Sequence, residues 1–154
     1  MEHIFKAYYN SPIGYIQILG NEHSIISLDF IDEINNDEKR NDLLNTCITE
    51  LDEYFKGKRR SFSLNLLLNG TDFQKKVWNA LINIPYGKTV SYKDIAKAIG
   101  NEKSARAVGN ANNKNKIAII VPCHRVIGSN GLLTGYAGGI WRKEWLINHE
   151  KMFL

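Results

Sequence analysis

The chain has 154 residues, 44% hydrophobic and 23% charged, enough for one large or two small domains with a real core. Met1–Lys6 holds no basic-then-apolar leader and no apolar run approaches the ~18 residues of a membrane span, so a cytoplasmic protein that does not enter the membrane is expected. The net charge of +4 is unevenly spread: residues 1–70 carry 7 Lys/Arg against 11 Asp/Glu, net −4, and residues 71–154 carry 13 against 5, net +8. A half this basic is drawn to polyanions, nucleic acid first, although a solvated lysine-rich face would have the same composition.

In chain order, His3–Tyr9 and Ile13–Leu19 read as strands joined through Asn10-Ser11-Pro12 into a hairpin, and Ser24–Phe30 supplies a third strand. The period then changes. Leu44, Cys47, Ile48, Leu51 and Phe55 fall at helical spacing in a helix expected over 36–55, with Asp37 and Glu38 in its first turn and Gly57 past its end. Cys47 lies on the apolar stripe and reads as a small buried hydrophobe. Ser61–Leu68 is expected as a further strand that Asn69-Gly70 breaks, which puts a domain boundary at residue 70. The domains are therefore 1–70, a small α/β unit of sheet plus helix, and 71–154, a mostly α unit with a winged-helix-like helix-turn-helix.

The second domain opens on Thr71-Asp72-Phe73-Gln74, a capping box ahead of a helix whose apolar face is Phe73, Val77, Leu81 and Ile84. Ser91 with Asp94 caps a second, short helix closed by Gly100. Asn101 is expected to cap a third, from Glu102 to about Asn112. It carries Lys103, Ser104, Arg106, Asn110, Asn112 and Asn113 among small residues that let backbone approach a nucleic-acid groove. Two short helices about a glycine turn, the second rich in Arg and Asn, fit a helix-turn-helix; an ordinary helical hairpin would look similar.

Ile117-Ala118-Ile119-Ile120-Val121 reads as a buried strand stopped by Pro122, delivering Cys123, His124 and Arg125 in succession. A thiol serves as nucleophile once a nearby base or positive charge lowers its pKa, and His124, Arg125 and the basic domain can supply one. Adjacent side chains diverge along extended chain, so Cys123 and His124 need the turn or a bridging water to communicate. Glycine-dense loops at 128–131 and 135–139 allow main chain to approach a flat ligand. The final helix, Ile140 to about Met152, is expected to turn Trp141, Trp145 and Leu146 inward and to bring His149 and Glu150 near the site. Glu150 can then orient the imidazole.

The run Ile119–Gly128 with Pro122-Cys123-His124-Arg125 at its centre, followed by Gly135-Tyr136-Ala137-Gly138-Gly139 and Lys143-Glu144-Trp145-Leu146 through His149-Glu150, closely resembles the O6-alkylguanine-DNA alkyltransferases. Ser91-Tyr92 and Ser104–Ala111 match as well. The resemblance is strong over 71–150; residues 1–70 share only the length and layout of the family's variable α/β domain. It implies that Cys123 accepts the alkyl group, activated through a water by His124, with Glu150 holding that histidine and Asn115 bridging the helix-turn-helix to the turn. Arg106 would fill the gap left by a flipped nucleotide, with Ser104, Asn110, Asn112 and Asn113 beside it on DNA, and Tyr92 would assist flipping and protonate the leaving base. The carbonyls of Cys123 and Val126 would accept from the guanine amine, the Ala137 amide would face the oxygen, Tyr136 would wall the pocket, and Lys143 would lie near the thiol.

The implied activity is a single-turnover methyltransferase repairing O6-methylguanine, and O4-methylthymine less efficiently, in double-stranded DNA. A thioether is no leaving group, so no external donor and no cofactor is expected, and a monomer suffices. Lys116 stands where many relatives have proline, and Trp141 in a commonly aliphatic place. Only Cys47, His3 and His23 in the first domain could ligate zinc, so none is expected there. The competing readings are a lesion-binding module without chemistry, in which Cys123 would be dispensable, and a thiol hydrolase, which lacks an oxyanion-hole signature.

Overall fold

The computed structural model describes residues 3–154; Met1 and Glu2, read above for a leader, lie outside them. The chain divides into two compact units, Met1–Leu68 and Asn69–Leu154. None of the described helices is long and apolar enough to cross a membrane.

In the first unit β1 (Phe5–Ser11), β2 (Gly14–Gly20) and β3 (Ile25–Ile31) form an antiparallel meander. The β1–β2 register sets Ala7 opposite Ile18 and Ser11 opposite Gly14, so Pro12 and Ile13 form the tight turn of the expected hairpin. Alternation places Ile16 and Ile18 on the buried face, where α1 (Asp42–Phe55) contributes Leu44, Cys47, Leu51 and Tyr54. The helix starts six residues later than its expected start at residue 36, because Asn41 is the true cap, its side chain accepting from the Leu44 amide. Asp37 and Glu38 serve the sheet instead. Asp37 accepts from Lys6 Nζ at 2.8 Å and the Tyr8 hydroxyl at 2.6 Å, and Glu38 accepts from the Tyr8 amide. Residues 61–68 do not form the expected strand: one bridge, Ile25 to Leu66, ties an otherwise irregular segment to β3. Burial takes Glu50 out of solvent there, and it accepts from the amide and hydroxyl of Ser63.

The second unit begins with α2 (Asp72–Ile82), whose Thr71–Gln74 capping box forms as the sequence indicates. A two-residue strand, β4 (Val90–Ser91), leads into α3 (Tyr92–Ala98) through the second capping box, Ser91 with Asp94. Gly100 then adopts φ +79°, a turn that L side chains resist, and α4 (Ala105–Asn113) follows. That helix starts three residues after the expected Glu102: Asn101 closes a preceding turn by accepting from the amide and hydroxyl of Ser104. Val77, Trp78, Leu81, Ile95 and Val108 pack α2, α3 and α4, and Trp78 donates its indole N–H to Ala111 O at 2.9 Å.

Ile117, Ile119, Ile120 and Val121 are buried, yet the run 117–121 is not a strand. Ile119 takes φ +69°, in the left-handed region, and tight turns close from Ile120 N to Ala118 O and from Cys123 N to Val121 O. Hydrophobic run length cannot separate a buried strand from a buried turn; the hydrogen bonds of Asn115 decide it here. Its amide donates to Val121 O at 2.8 Å and Ile117 O at 3.3 Å, and its oxygen accepts from Ile117 N. Cys123–Arg125 forms one 3-10 turn, β5 (Val126–Ile127) pairs in parallel with β4, and α5 (Ile140–Met152) ends the unit. Trp141 does not turn inward: it is 55% exposed under the Arg142 guanidinium, and Trp145 stacks on His149.

Candidate active site

The 3-10 turn carries three side chains that α5 meets from above. Cys123 is 6% exposed and His124 fully buried. Along α5 the buried stripe is Lys143, Leu146, Ile147 and Glu150, so two charged groups occupy an apolar face and must find partners. Glu150 finds His124, whose Nε2 lies 2.6 Å from Oε2, and Arg125, which donates from Nε to Oε1 at 2.8 Å and from Nη2 to Oε2 at 3.1 Å. The Gly87 amide also donates to Oε1, at 3.1 Å, from a left-handed turn at φ +78°.

Burial alone would push the Glu150 carboxyl up, but its bonds to His124 and Arg125 overcome that and hold it well below the usual carboxylate range. Burial pushes the His124 imidazole down, against the pull of Glu150. The pair is therefore a carboxylate beside a neutral imidazole. An ionised carboxylate only accepts, which assigns the imidazole proton to Nε2 and leaves Nδ1 an acceptor. Nδ1 is buried with no hydrogen-bond partner among the described residues.

The thiol is not activated at rest in the way the sequence suggests. Burial pushes the Cys123 thiol up, and the Asn115 amide and the charge of Lys143 only work against that rise. Arg125, one of the groups expected to lower it, is committed to Glu150. The neighbouring residue, His124, keeps an open lone pair on Nδ1 that can accept a proton.

Lys143 donates from Nζ to Thr134 O at 2.7 Å, and burial brings its pKa down to about 8. The Tyr92 hydroxyl lies 3.0 Å from Thr134 Oγ1, with Lys143 Nζ 5.9 Å from the Tyr92 ring centre. Two side chains from α3 and α5 thus grip one residue of the glycine-rich loop. The Tyr136 hydroxyl is buried without a hydrogen-bond partner among the described residues, and burial and Cys123 hold its pKa well above the ordinary value. Val126 is buried in β5 and Ala137 is exposed on the loop.

On α4 the residues read as DNA contacts separate. Arg106, Asn110 and Asn113 are exposed, and Arg106 lines an open groove of about 420 Å³ with Tyr92, Gly109, Gly128 and Thr134. Ser104 and Asn112 are buried and do not belong to that face: the Ser104 hydroxyl donates to Asn101 O, and Asn112 donates from Nδ2 to Cys123 O at 3.3 Å. Arg125 is the site residue whose partner sequence reasoning missed: read as a positive charge for the thiol, it binds Glu150 instead. The signal was available, since an arginine next to a buried run and a glutamate on an apolar stripe each require an opposite charge.

Comparison with known proteins agrees over both units. Residues 72–152 match the 6-O-methylguanine DNA methyltransferase, DNA binding domain, and residues 4–68 match the 6-O-methylguanine DNA methyltransferase, ribonuclease-like domain. The methylated-DNA--protein-cysteine methyltransferase of Methanosarcina barkeri is 52% identical over 147 residues, 92% of this chain and 93% of its own. That of Mycobacterium leprae is 44% identical, over 92% and 89%. The crystal structure of Mycobacterium tuberculosis O6-methylguanine methyltransferase superposes with a TM-score of 0.90 at 42% identity, covering 99% of this chain and 95% of that one. A structure of Mycobacterium tuberculosis OGT in complex with DNA gives 0.87 at 44% identity, covering 95% and 93%. The chain belongs to the 6-O-methylguanine DNA methyltransferase family.

Proposed function

We propose that this chain repairs O6-alkylguanine in double-stranded DNA by moving the alkyl group onto Sγ of Cys123, once per molecule, in the cytoplasm and without a cofactor. The observation that carries this reading is the buried Cys123 thiol at the head of a turn whose next residue, His124, presents an unpartnered Nδ1 and is held by Glu150.

In the reaction the S–C bond forms as the C–O6 bond breaks. The thiol proton passes to Nδ1 of His124 through a bridging water, and the electron pair of the broken bond stays on the purine. A departing purine is a poor leaving group unless its developing charge is neutralised, and the Tyr92 hydroxyl on the groove is the donor for that task. Lys143 supplies positive charge beside the thiol. Asn115 fixes the turn by bonding to the Val121 carbonyl, and the Cys123 and Val126 carbonyls, the Ala137 amide and Tyr136 form the base pocket.

A base inside a duplex is out of reach, so the nucleotide must be extruded at a cost of a few kcal/mol. Exposed Arg106, Asn110 and Asn113 on α4 face the solvent side where the duplex would lie, and Arg106 takes the vacated space in the stack. Intact-mass analysis after incubation with an O6-methylguanine duplex tests the proposal. One methyl per chain, mapped to Cys123 and lost in Cys123→Ser, is expected; turnover beyond one equivalent, or label at Cys47, overturns it.

A further inference from the structure

Arg125 has no part in the alkyl-transfer scheme above, although its guanidinium makes three buried hydrogen bonds: two to Glu150 and one, at 2.8 Å, from Nη1 to Ile84 O. Its Cζ lies 5.7 Å from the Tyr86 ring centre, so the α2 end and the residues after it fix the guanidinium from behind. Its placement divides the carboxylate. Oε1 receives Arg125 Nε and the Gly87 amide, and Oε2 receives Arg125 Nη2 and faces the imidazole.

A carboxylate buried beside an imidazole and lacking a cation has two ways to shed the cost of its charge. It can take a proton itself, or it can draw a second proton onto the ring. The second outcome consumes the lone pair on Nδ1, and an imidazolium cannot receive the thiol proton. A permanently charged guanidinium bonded to both oxygens removes the need for either.

We infer that Arg125 is a positioning residue for alkyl transfer: by cancelling the charge of Glu150 and fixing which oxygen meets the ring, it keeps His124 neutral, protonated on Nε2 and open on Nδ1. The inference rests on the alkyl-transfer reading for its consequence, but not for its physical content. The ionisable groups around His124 are Cys123 and Arg125 on its own turn, Lys143 and Glu150 on α5, and Tyr136 beside Cys123 on the preceding loop. Lys143 also disfavours the imidazolium, but its ammonium is bonded to Thr134 O rather than to Glu150, so it does not replace the guanidinium.

The test combines nitrogen-detected NMR titration of His124, assigned by its loss in His124→Gln, with single-turnover alkyl transfer at about pH 6.5 and pH 8.5. In the parent, a neutral ring protonated on Nε2 is expected throughout that range. In Arg125→Met the ring becomes imidazolium near neutral pH, and the ratio of the transfer rate at the lower pH to that at the higher falls by about tenfold or more, the effect of a ring pKa raised to about one unit above the lower pH. Arg125→Lys keeps the ring neutral, and Glu150→Gln added to Arg125→Met restores neutrality. A neutral ring in Arg125→Met, or a loss of rate by the same factor at both pH values, overturns the inference. Should Arg125→Met not fold, the parent titration decides: an imidazolium at pH 7, or a proton on Nδ1, overturns it. The NMR arm needs no DNA, so absence of alkyl transfer with a neutral ring would count against the proposed function and leave the charge assignment standing.

Discussion

Asn112 and Cys123 are joined through the amide of one and the carbonyl of the other, Nδ2 to O at 3.3 Å, with both residues buried. The last turn of α4 therefore holds the backbone of Cys123 directly. Asn112→Ala removes one of two donors to that carbonyl, which still accepts from the Val126 amide, and costs about 0.5–1.5 kcal/mol. Urea unfolding should show that loss, and the alkyl-transfer rate should drop while duplex affinity stays the same, since the side chain does not reach the exposed face of α4.

Arg106 is exposed and sits on the groove. Arg106→Ala should leave stability within about 0.5 kcal/mol of the parent. Duplex binding should weaken, and the slope of log affinity against log salt should shrink by up to about 1, since a guanidinium inserted in the stack brings its positive charge into the field of the phosphates. Titrating a labelled duplex at several salt concentrations measures both. Unchanged affinity and slope would place Arg106 outside the base stack.

Lys143 makes stability depend on pH in the alkaline range. The unfolded chain keeps this proton up to about pH 10.5 and the folded chain releases it near 8. Between those values the unfolded state binds more protons, so this group's contribution makes unfolding free energy rise with pH. Lys143→Met should remove that rise. It also takes away the charge that works against the high pKa of Cys123, so transfer should slow most at neutral pH and recover as pH increases.

Glu150 acts in the opposite range. Its folded carboxyl is held well below the ordinary value of 4.5, so its contribution is complete above that pH and drains away as the solution is acidified below it. Glu150→Gln leaves the buried Arg125 guanidinium without its counter-ion and should cost about 3–5 kcal/mol at pH 7. Its stability should then fall less than the parent's between pH 5 and pH 3. Parallel acid and denaturant titrations by circular dichroism give the comparison.

Sequence carried much of this molecule. Both capping boxes, Thr71 with Gln74 and Ser91 with Asp94, formed because a hydroxyl and a side chain three residues on satisfy local donors whatever surrounds them. The hairpin and α5 were equally local. The misreadings involve distant partners. Asp37 and Glu38 resemble a first helical turn until Lys6 and Tyr8 of another element claim them. Ile117–Val121 has strand composition, and it turns because Asn115 takes over its backbone bonds. Within the site Cys123, His124 and Glu150 were legible from chemistry and resemblance. The pairing of Arg125 with Glu150 went unread although both charges were in view, and the inward aim of Asn112 was hidden, since it depends on the direction in which α4 delivers a side chain.

The left-handed Ile119 bears on how portable this reactive centre is. A β-branched residue at that backbone angle is costly on its own, of the order of 1–3 kcal/mol, and it is tolerated where its side chain is 1% exposed and the surrounding turn is pinned by Asn115. A synthetic peptide covering 115–127 will relax out of this shape in water. Transplanting the nucleophile to another scaffold therefore means carrying α4 and α5 along with it.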